Sequence, residues 1–110
     1  MLASSVGESP LMVDQLTELF RLLSDRTRLS ILIILQQGEQ NVTALCETLG
    51  LPQPTVSHHL GLLRMNSLIA NRRSGKQVFY GLDGRFDRAI GRTLSIAGET
   101  FSVKIEPRVR

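Results

Sequence analysis

Residues 50–63 read GLPQPTVSHHLGLL, a tight turn followed by most of an amphipathic helix. Pro52 and Pro54 stop a preceding helix from running through, because proline lacks a backbone donor and disfavours helical geometry in the residue before it. After the prolines, aliphatic residues recur at the i, i+4 and i+7 spacing of one helix face, and these are Val56, Leu60 and Leu63. The pattern predicts a helix from about residue 53 or 54 to residue 66 that packs this face on a core.

Apolar periodicity predicts three helices on the N-terminal side, over residues 10–23, 25–37 and 43–49. The second of these is the most apolar and is expected to be the central core helix. Residues that favour helix ends stand where these helices should start and stop. They are Ser24 or Asp25 and Asn41 or Thr43 at the starts, and Gly38 and Gly50 at the ends.

A β-hairpin and a last helix are predicted on the C-terminal side. Residues 69–73 and 77–82 have strand composition and are joined by a turn at Ser74, Gly75 and Lys76. A fifth helix is expected from Asp83 or Gly84, because apolar residues follow at helical spacing. They are Phe86, Ile90, Leu94 and Ala97.

The predicted order of elements is α-α-α-α-β-β-α. The fold class is therefore mainly α with a small β-hairpin, a winged helix-turn-helix. Residues 1–9 are expected to be a disordered leader, residues 10–100 the DNA-binding and dimerisation domain, and residues 101–110 a C-terminal tail. A chain of 110 residues buries only a modest core, which favours a dimer.

Charge is distributed unevenly along the chain, whose net charge is +3. Residues 48–82 contain no Asp or Glu but hold Arg64, Arg72, Arg73 and Lys76. A basic segment without acids fits a phosphate backbone, although a solvated basic face without a partner has the same composition. The single cysteine excludes a disulfide within the chain, and no apolar run is long enough to span a membrane, so we expect a cytoplasmic protein.

The predicted helix over residues 53–66 turns a polar face away from its core side. This face is uncharged near its N-terminus, as insertion into a DNA major groove requires, and glutamine, serine and threonine can all hydrogen-bond base edges. The alternative is that these side chains only cap a surface helix. The candidate DNA contacts of the helix are Gln53, Thr55, Ser57, His58 and Arg64.

The hairpin supplies a second set of candidate DNA contacts, namely Arg72, Arg73, Lys76 and Gln77. Long cations on a projecting ribbon suit contacts to phosphates or to the minor groove. The alternative is an edge strand that its charges protect from unwanted pairing.

The two histidines are adjacent, so they face different directions on a helix and are poorly placed to chelate one ion. His59 lies beside the apolar face and is expected to be partly buried with a backbone partner. No nucleophile, base and orienting acid stand at a recognisable spacing, and no glycine-rich phosphate loop is present, so no enzymatic activity is expected. A winged-helix module that binds protein instead of specific DNA remains the alternative function.

Three segments give the chain a resemblance to the ArsR/SmtB family of winged-helix repressors. They are residues 22–32 (LLSDRTRLSIL), residues 50–63 and residues 72–80 (RRSGKQVFY). The resemblance implies a sequence-specific transcriptional repressor that binds an inverted repeat in double-stranded DNA as a homodimer and leaves it when an inducer arrives. It also implies that the first and last helices join the two copies, with Leu16, Phe20, Ile90 and Leu94 near the interface.

The chain departs from the family pattern at its turn, its fourth helix and its metal sites. Pro52 stands where the family often has Ser, and Gly61 where it often has Lys. Asn41 and Thr43 occupy the positions of the Cys-x-Cys pair that holds arsenic or cadmium, and the predicted last helix lacks the histidines of the zinc-type members. We therefore expect no family-type metal site and no cofactor, and the half-buried position expected of Cys46 favours packing over sensing.

Overall fold

The computed structural model describes residues 2–86 and 93–108, with side chains from Pro10 onward. Within these ranges the chain forms four helices, α1 to α4, at Leu2–Leu23, Arg26–Gln36, Val42–Leu49 and Gln53–Met65. Five strands, β1 to β5, lie at Gln40–Asn41, Ile69–Ser74, Gln77–Leu82, Leu94–Ala97 and Ser102–Ile105.

Local chemistry explains where α2 and α3 start and stop. The Asp25 carboxylate accepts a hydrogen bond from the Arg28 backbone N–H at 3.0 Å, and the Asn41 side chain accepts one from the Ala44 N–H at 2.7 Å. Gly50 ends α3 with a left-handed φ of 67°, a conformation that a residue without Cβ adopts freely. Among the predicted candidates, Asp25 and Asn41 are thus the N-caps and Gly50 is the C-cap.

The core lies where α2 meets α3, α4 and the sheet. At the centre of this core, α2 buries Ile31, Leu32 and Leu35, as its apolar composition predicted. The largest side chains that are completely enclosed are Ile31, Leu32, Leu45, Val56, Leu60, Leu63, Leu68, Ile69 and Ile96. Burial of these aliphatic side chains, each contributing about 1.5–3 kcal/mol, fixes the orientation of α4.

The wing is the antiparallel hairpin of β2 and β3. It pairs through β3 with β1, so the sheet order is β1-β3-β2. The strands reach Ser74 and resume at Gln77, leaving a two-residue turn in which Gly75 has φ 62°. A positive φ at the first turn residue matches the right-handed twist of the strands. The hairpin predicted from sequence is therefore confirmed, and β2 is one residue longer than predicted.

The predicted fifth helix is wrong where the structure describes it. Leu94–Ala97 is strand β4, paired antiparallel with β5, and Phe86 forms a bridge with Ile96. Pairing with β5 satisfies the backbone of this segment while Ile96 inserts into the core, fully enclosed. Residues 87–92, including Ile90, lie outside the described residues.

Both ends of the chain also differ from the prediction. Residues 2–9, expected as a disordered leader, continue α1 as helix, and Pro10 lies inside that helix. Ser102–Ile105, assigned to the tail, is strand β5, and Val103 packs against the core. Among the described residues, no helix is both long and apolar enough to cross a membrane.

Candidate nucleic-acid interface

Helices α3 and α4 form a helix-turn-helix unit. The chain leaves α3 at Gly50 and enters α4 at Gln53, with Pro52 as its N-cap residue. On the inner face of α4, Val56, Leu60 and Leu63 are buried. Because these three side chains are held in the core, the opposite face is presented to solvent in a fixed orientation.

The structure places all five predicted contacts of α4 at the surface, and they are Gln53, Thr55, Ser57, His58 and Arg64. Pro52 makes no side-chain hydrogen bond to the first turn, where a serine cap would occupy a backbone donor. The positive end of the helix dipole therefore faces solvent beside neutral side chains, an arrangement that favours an approaching phosphate.

His59 holds α4 against the start of α2. Its side chain is only 14% exposed, and Nδ1 lies 3.3 Å from Arg28 Nη1 and 3.8 Å from the Asp25 carboxylate. Since a guanidinium can only donate, Nδ1 is the acceptor in the contact with Arg28. The partial burial predicted for His59 is confirmed, but the partner is a side chain and not the backbone.

Arg28 extends this contact to α1. Its Nε donates to the Leu22 carbonyl at 2.7 Å, and its backbone N–H donates to Asp25. That hydrogen bond from the backbone of Arg28 holds the pKa of the Asp25 carboxyl below its usual value. Three helices are thus joined at one point. Sequence reasoning did not single out Arg28, because its contact with His59 spans 31 positions of the chain.

The four predicted wing contacts are exposed, but they are not equivalent. Arg73, Lys76 and Gln77 carry no side-chain partner among the described residues. Arg72 instead donates to Glu39 at 2.8–3.0 Å, and its guanidinium lies 4.9 Å from the centre of the Phe79 ring. The hydrogen bond from Arg72 holds the pKa of Glu39 below its usual value.

Of the predicted interface residues, Leu16 is half-buried and Phe20 is 52% exposed. Leu94 is 3% exposed within one chain, so the structure leaves almost none of it for a partner, in contrast to the prediction. Val13, which sequence reasoning overlooked, is 51% exposed. Its spacing from Leu16 and Phe20, i, i+3 and i+7, is the signal that could have found it.

Asn41 and Thr43, the positions that the resemblance matches to a thiolate pair, have other roles in this chain. Asn41 caps α3, and Thr43 is exposed in the first turn of that helix. Within residues 2–86 and 93–108, no three or more His, Cys, Asp or Glu side chains are grouped so that they could hold a metal ion. An amide that caps a helix and a hydroxyl are also poor ligands for a thiophilic metal. Cys46 is half-buried and packs against the core.

The helix-turn-helix unit, the buried inner face of α4 and the adjoining hairpin define a winged helix-turn-helix DNA-binding protein. Residues 25–69 match the model of the bacterial regulatory protein, arsR family. The chain belongs to this family and is a DNA-binding transcriptional repressor, not an enzyme.

Two relatives support this assignment. The chain is 41% identical over 87 residues to the transcriptional regulator KmtR of Mycobacterium tuberculosis, covering 76% of this chain and 67% of the relative. It is 36% identical over 94 residues to the arsenical resistance operon repressor of Escherichia coli, covering 84% of this chain and 80% of the relative.

Solved structures agree with the fold. The transcriptional repressor BigR from Xylella fastidiosa superposes with a TM-score of 0.67 and 33% identity, over 71% of this chain and 77% of that one. A homodimeric winged helix-turn-helix DNA-binding domain from Mycobacterium bovis superposes with a TM-score of 0.62 and 32% identity, over 69% of this chain and 70% of that one.

Proposed function

We propose that the protein represses transcription as a homodimer that binds a pseudo-palindromic operator, each copy inserting α4 into a major groove. The observation that carries this proposal is the division of α4 into two faces. Its inner face is locked into the core by Val56, Leu60 and Leu63, while its outer face is polar and uncharged at the end that would enter the groove.

Base readout is assigned to the first turns of α4. Gln53 can form two hydrogen bonds with adenine, and the Thr55 and Ser57 hydroxyls can donate or accept. His58 is exposed on the same outer face. Arg64 stands in the last turn of the helix, where it suits a backbone phosphate better than a base.

Phosphate contacts are assigned to the wing. Arg73 and Lys76 are exposed near the hairpin tip, with Gln77 beside them. Contacts to phosphates position a protein on DNA without selecting its sequence. The wing therefore contributes affinity and orientation, whereas α4 contributes specificity.

Dimerisation is assigned to α1. Val13 and Phe20 are large exposed apolar side chains, and Leu16 lies between them on the same helix face. Exposing an apolar stripe of this kind to water is unfavourable in free energy unless a second surface covers it. Two copies joined by an isologous contact would present two α4 helices to half-sites about 34 Å apart.

We propose that release from DNA does not use the family's thiolate metal site. The Asn41 side chain is committed to the Ala44 N–H, and Thr43 offers a hydroxyl where the family has a thiolate. Residues 2–86 and 93–108 bring no alternative cluster of metal ligands together.

The proposal is tested by measuring affinity for the DNA upstream of the protein's own coding region and for a shuffled duplex of equal composition. We expect tight binding to the first and weak, strongly salt-dependent binding to the second. Equal affinity for both duplexes would favour the alternative module that binds protein.

Substitution of Gln53 tests the assignment of base readout. Gln53→Ala should lose discrimination between operator variants at one base pair, by a factor of about 10. Gln37→Ala, at an exposed position beyond the end of α2, is the matched control. Uniform weakening on every duplex by Gln53→Ala would mean that this side chain does not recognise a base.

A further inference from the structure

We infer that Arg72 is a positioning residue and not a DNA ligand: its ion pair with Glu39, laid across β3, holds the wing in a fixed orientation relative to α4. This inference rests on the proposed DNA-binding surface. Arg72 and Arg73 are adjacent and look alike in the sequence, but the structure gives them different roles.

The sheet register brings Glu39 and Arg72 to the same face from opposite sides of β3. Gln40 pairs with Tyr80, so Glu39, one residue earlier, lies opposite Gly81. On the other side of β3, Arg72 pairs with Phe79. Positions two apart along a strand share a face, so both charged side chains lie over the Phe79–Gly81 face of β3.

Gly81 leaves the space through which Glu39 reaches across. A Cβ at this position would lie 3.2 Å from Glu39 Cγ, closer than ordinary van der Waals contact. A residue with a Cβ would therefore require the Glu39 side chain to shift by a few tenths of an ångström. The glycine thus permits close approach of the Glu39 side chain and does not serve an unusual backbone conformation, because its φ is not positive.

The contact between Glu39 and Arg72 is a forked ion pair that restricts how both side chains are oriented. Arg72 Nε lies 3.0 Å from both carboxylate oxygens, and Nη2 lies 2.8 Å from Oε1. The guanidinium carbon is 4.9 Å from the Phe79 ring centre, within cation–π range. A forked contact combined with a ring beneath it restricts the rotamers of the arginine more than a single hydrogen bond does.

Glu39 lies next to the segment that leads into the helix-turn-helix unit. It precedes β1, and β1 runs directly into α3, whose N-cap is Asn41. Arg72 lies in the middle of β2, the outer strand of the wing. The ion pair therefore connects the segment that leads into the helix-turn-helix to the strand that carries Arg73.

Both side chains are about half exposed, at 54% and 45%. Exposed ion pairs contribute little to global folding stability. The effect of this pair is consequently expected in the orientation of the wing, and not in the melting temperature. Arg73, the next residue, faces the opposite side of the ribbon and stays available to phosphate.

The test is to remove the carboxylate. If Arg72 is a positioning residue, Glu39→Ala loosens the wing and weakens operator binding about threefold, with the slope of log affinity against log salt unchanged. If Arg72 were a phosphate ligand, Glu39→Ala would release it, and binding would become tighter with a steeper salt slope. The second result would overturn the inference.

Four further variants make the test specific. Arg72→Ala should weaken binding as much as Glu39→Ala, and the double variant should be no weaker than either, because both remove one contact. The charge-reversed pair, Glu39→Arg with Arg72→Glu, should recover most of the affinity. Glu47→Ala, which removes an exposed carboxylate from α3, measures the general effect of deleting a negative charge.

Unchanged melting temperatures would show that the variants fold. Additive losses in the double variant, or affinities that none of the substitutions changes, would also overturn the inference. Failure of the wild-type chain to prefer its operator would instead overturn the proposed function, so the two proposals fail in different ways.

Discussion

Arg72 and Arg73 are adjacent in the chain, yet their side chains have different surroundings. Arg72 is held by Glu39 and lies over Phe79, whereas Arg73 has no partner among the described residues. Composition gave both the same assignment, because alternation along a strand separates neighbours onto opposite faces only once the pairing is known. The free cation is the stronger candidate for a phosphate contact.

Arg73→Ala should therefore weaken binding to all duplexes by a similar factor and reduce the salt slope by about 1. The reason is that a phosphate contact releases a counterion without selecting a sequence. Titrations at several salt concentrations measure this, with Arg108→Ala, an exposed arginine near the C-terminus, as the control. A loss confined to particular operator variants would assign Arg73 to base readout instead.

Because Asp25 caps α2 with its carboxylate, the free energy of unfolding should depend on pH in the acid range. The hydrogen bond from the Arg28 backbone lowers the pKa of Asp25 in the folded chain below its ordinary value of 3.8. Because the pKa of Asp25 is lower in the folded than in the unfolded chain, the ionised carboxylate stabilises the fold. This contribution is complete above the pKa in the unfolded chain and is lost as the pH falls through the pKa in the folded chain.

Asp25→Ala should cost about 1 kcal/mol of unfolding free energy near neutral pH. Chemical denaturation of wild type and variant should show the full difference above the ordinary carboxyl pKa of 3.8, and a shrinking difference as the pH falls below it through the lowered pKa of Asp25. Asp14→Ala, which removes an exposed carboxylate from α1, is the matched control. A difference that stays constant with pH would show that the charge of Asp25 does not contribute.

Among the secondary-structure elements, α4 contains a weak point on its outer side. A Cβ at Gly61 would meet nothing within 4 Å, so the structure has room for a side chain there. Glycine in a helix interior costs about 1 kcal/mol relative to alanine. The helix is therefore less stable than its packing would allow.

Gly61→Ala should raise the melting temperature by about 4–8 °C. Calorimetry or circular dichroism measures the change. Gly50→Ala is the informative contrast, because Gly50 has φ 67° and alanine is strained there, so this variant should melt at a lower temperature. A Gly61→Ala variant that melts lower than wild type would contradict the free space that the structure shows.

At the scale of the whole molecule, we predict that the apolar stripe of α1 forms the dimer contact. Phe20→Glu should convert the proposed dimer to a monomer, because a charge would be buried without a partner at the contact. Sedimentation at micromolar concentration measures this. Affinity for a full palindrome should fall more than affinity for one half-site, since the two half-sites would no longer be bound together.

Leu11→Glu is the matched control for that experiment. Leu11 is 55% exposed on α1 but lies on a different face from Val13 and Phe20. A wild-type chain that sediments as a monomer would contradict the proposed dimer. Dissociation by Leu11→Glu and not by Phe20→Glu would place the interface on the other side of the helix.

The helix-turn-helix and the wing could be predicted because their signals are local. The prolines of residues 50–54, the periodic aliphatic residues of α4 and the glycine turn of the hairpin each act within a few residues. The exposed face of α4 followed directly from this pattern. Every candidate contact on that face is at the surface in the structure.

Features that depend on distant partners could not be obtained in this way. Leu94–Ala97 is a strand because β5 supplies its hydrogen-bond partner and the core accepts Ile96, although its own spacing also fits a helix. Glu39 and Arg72 are 33 positions apart and meet only through the pairing of β1, β3 and β2. Local periodicity determines which face of an element is apolar. Tertiary packing determines which other element covers that face and which distant charged residues meet as an ion pair.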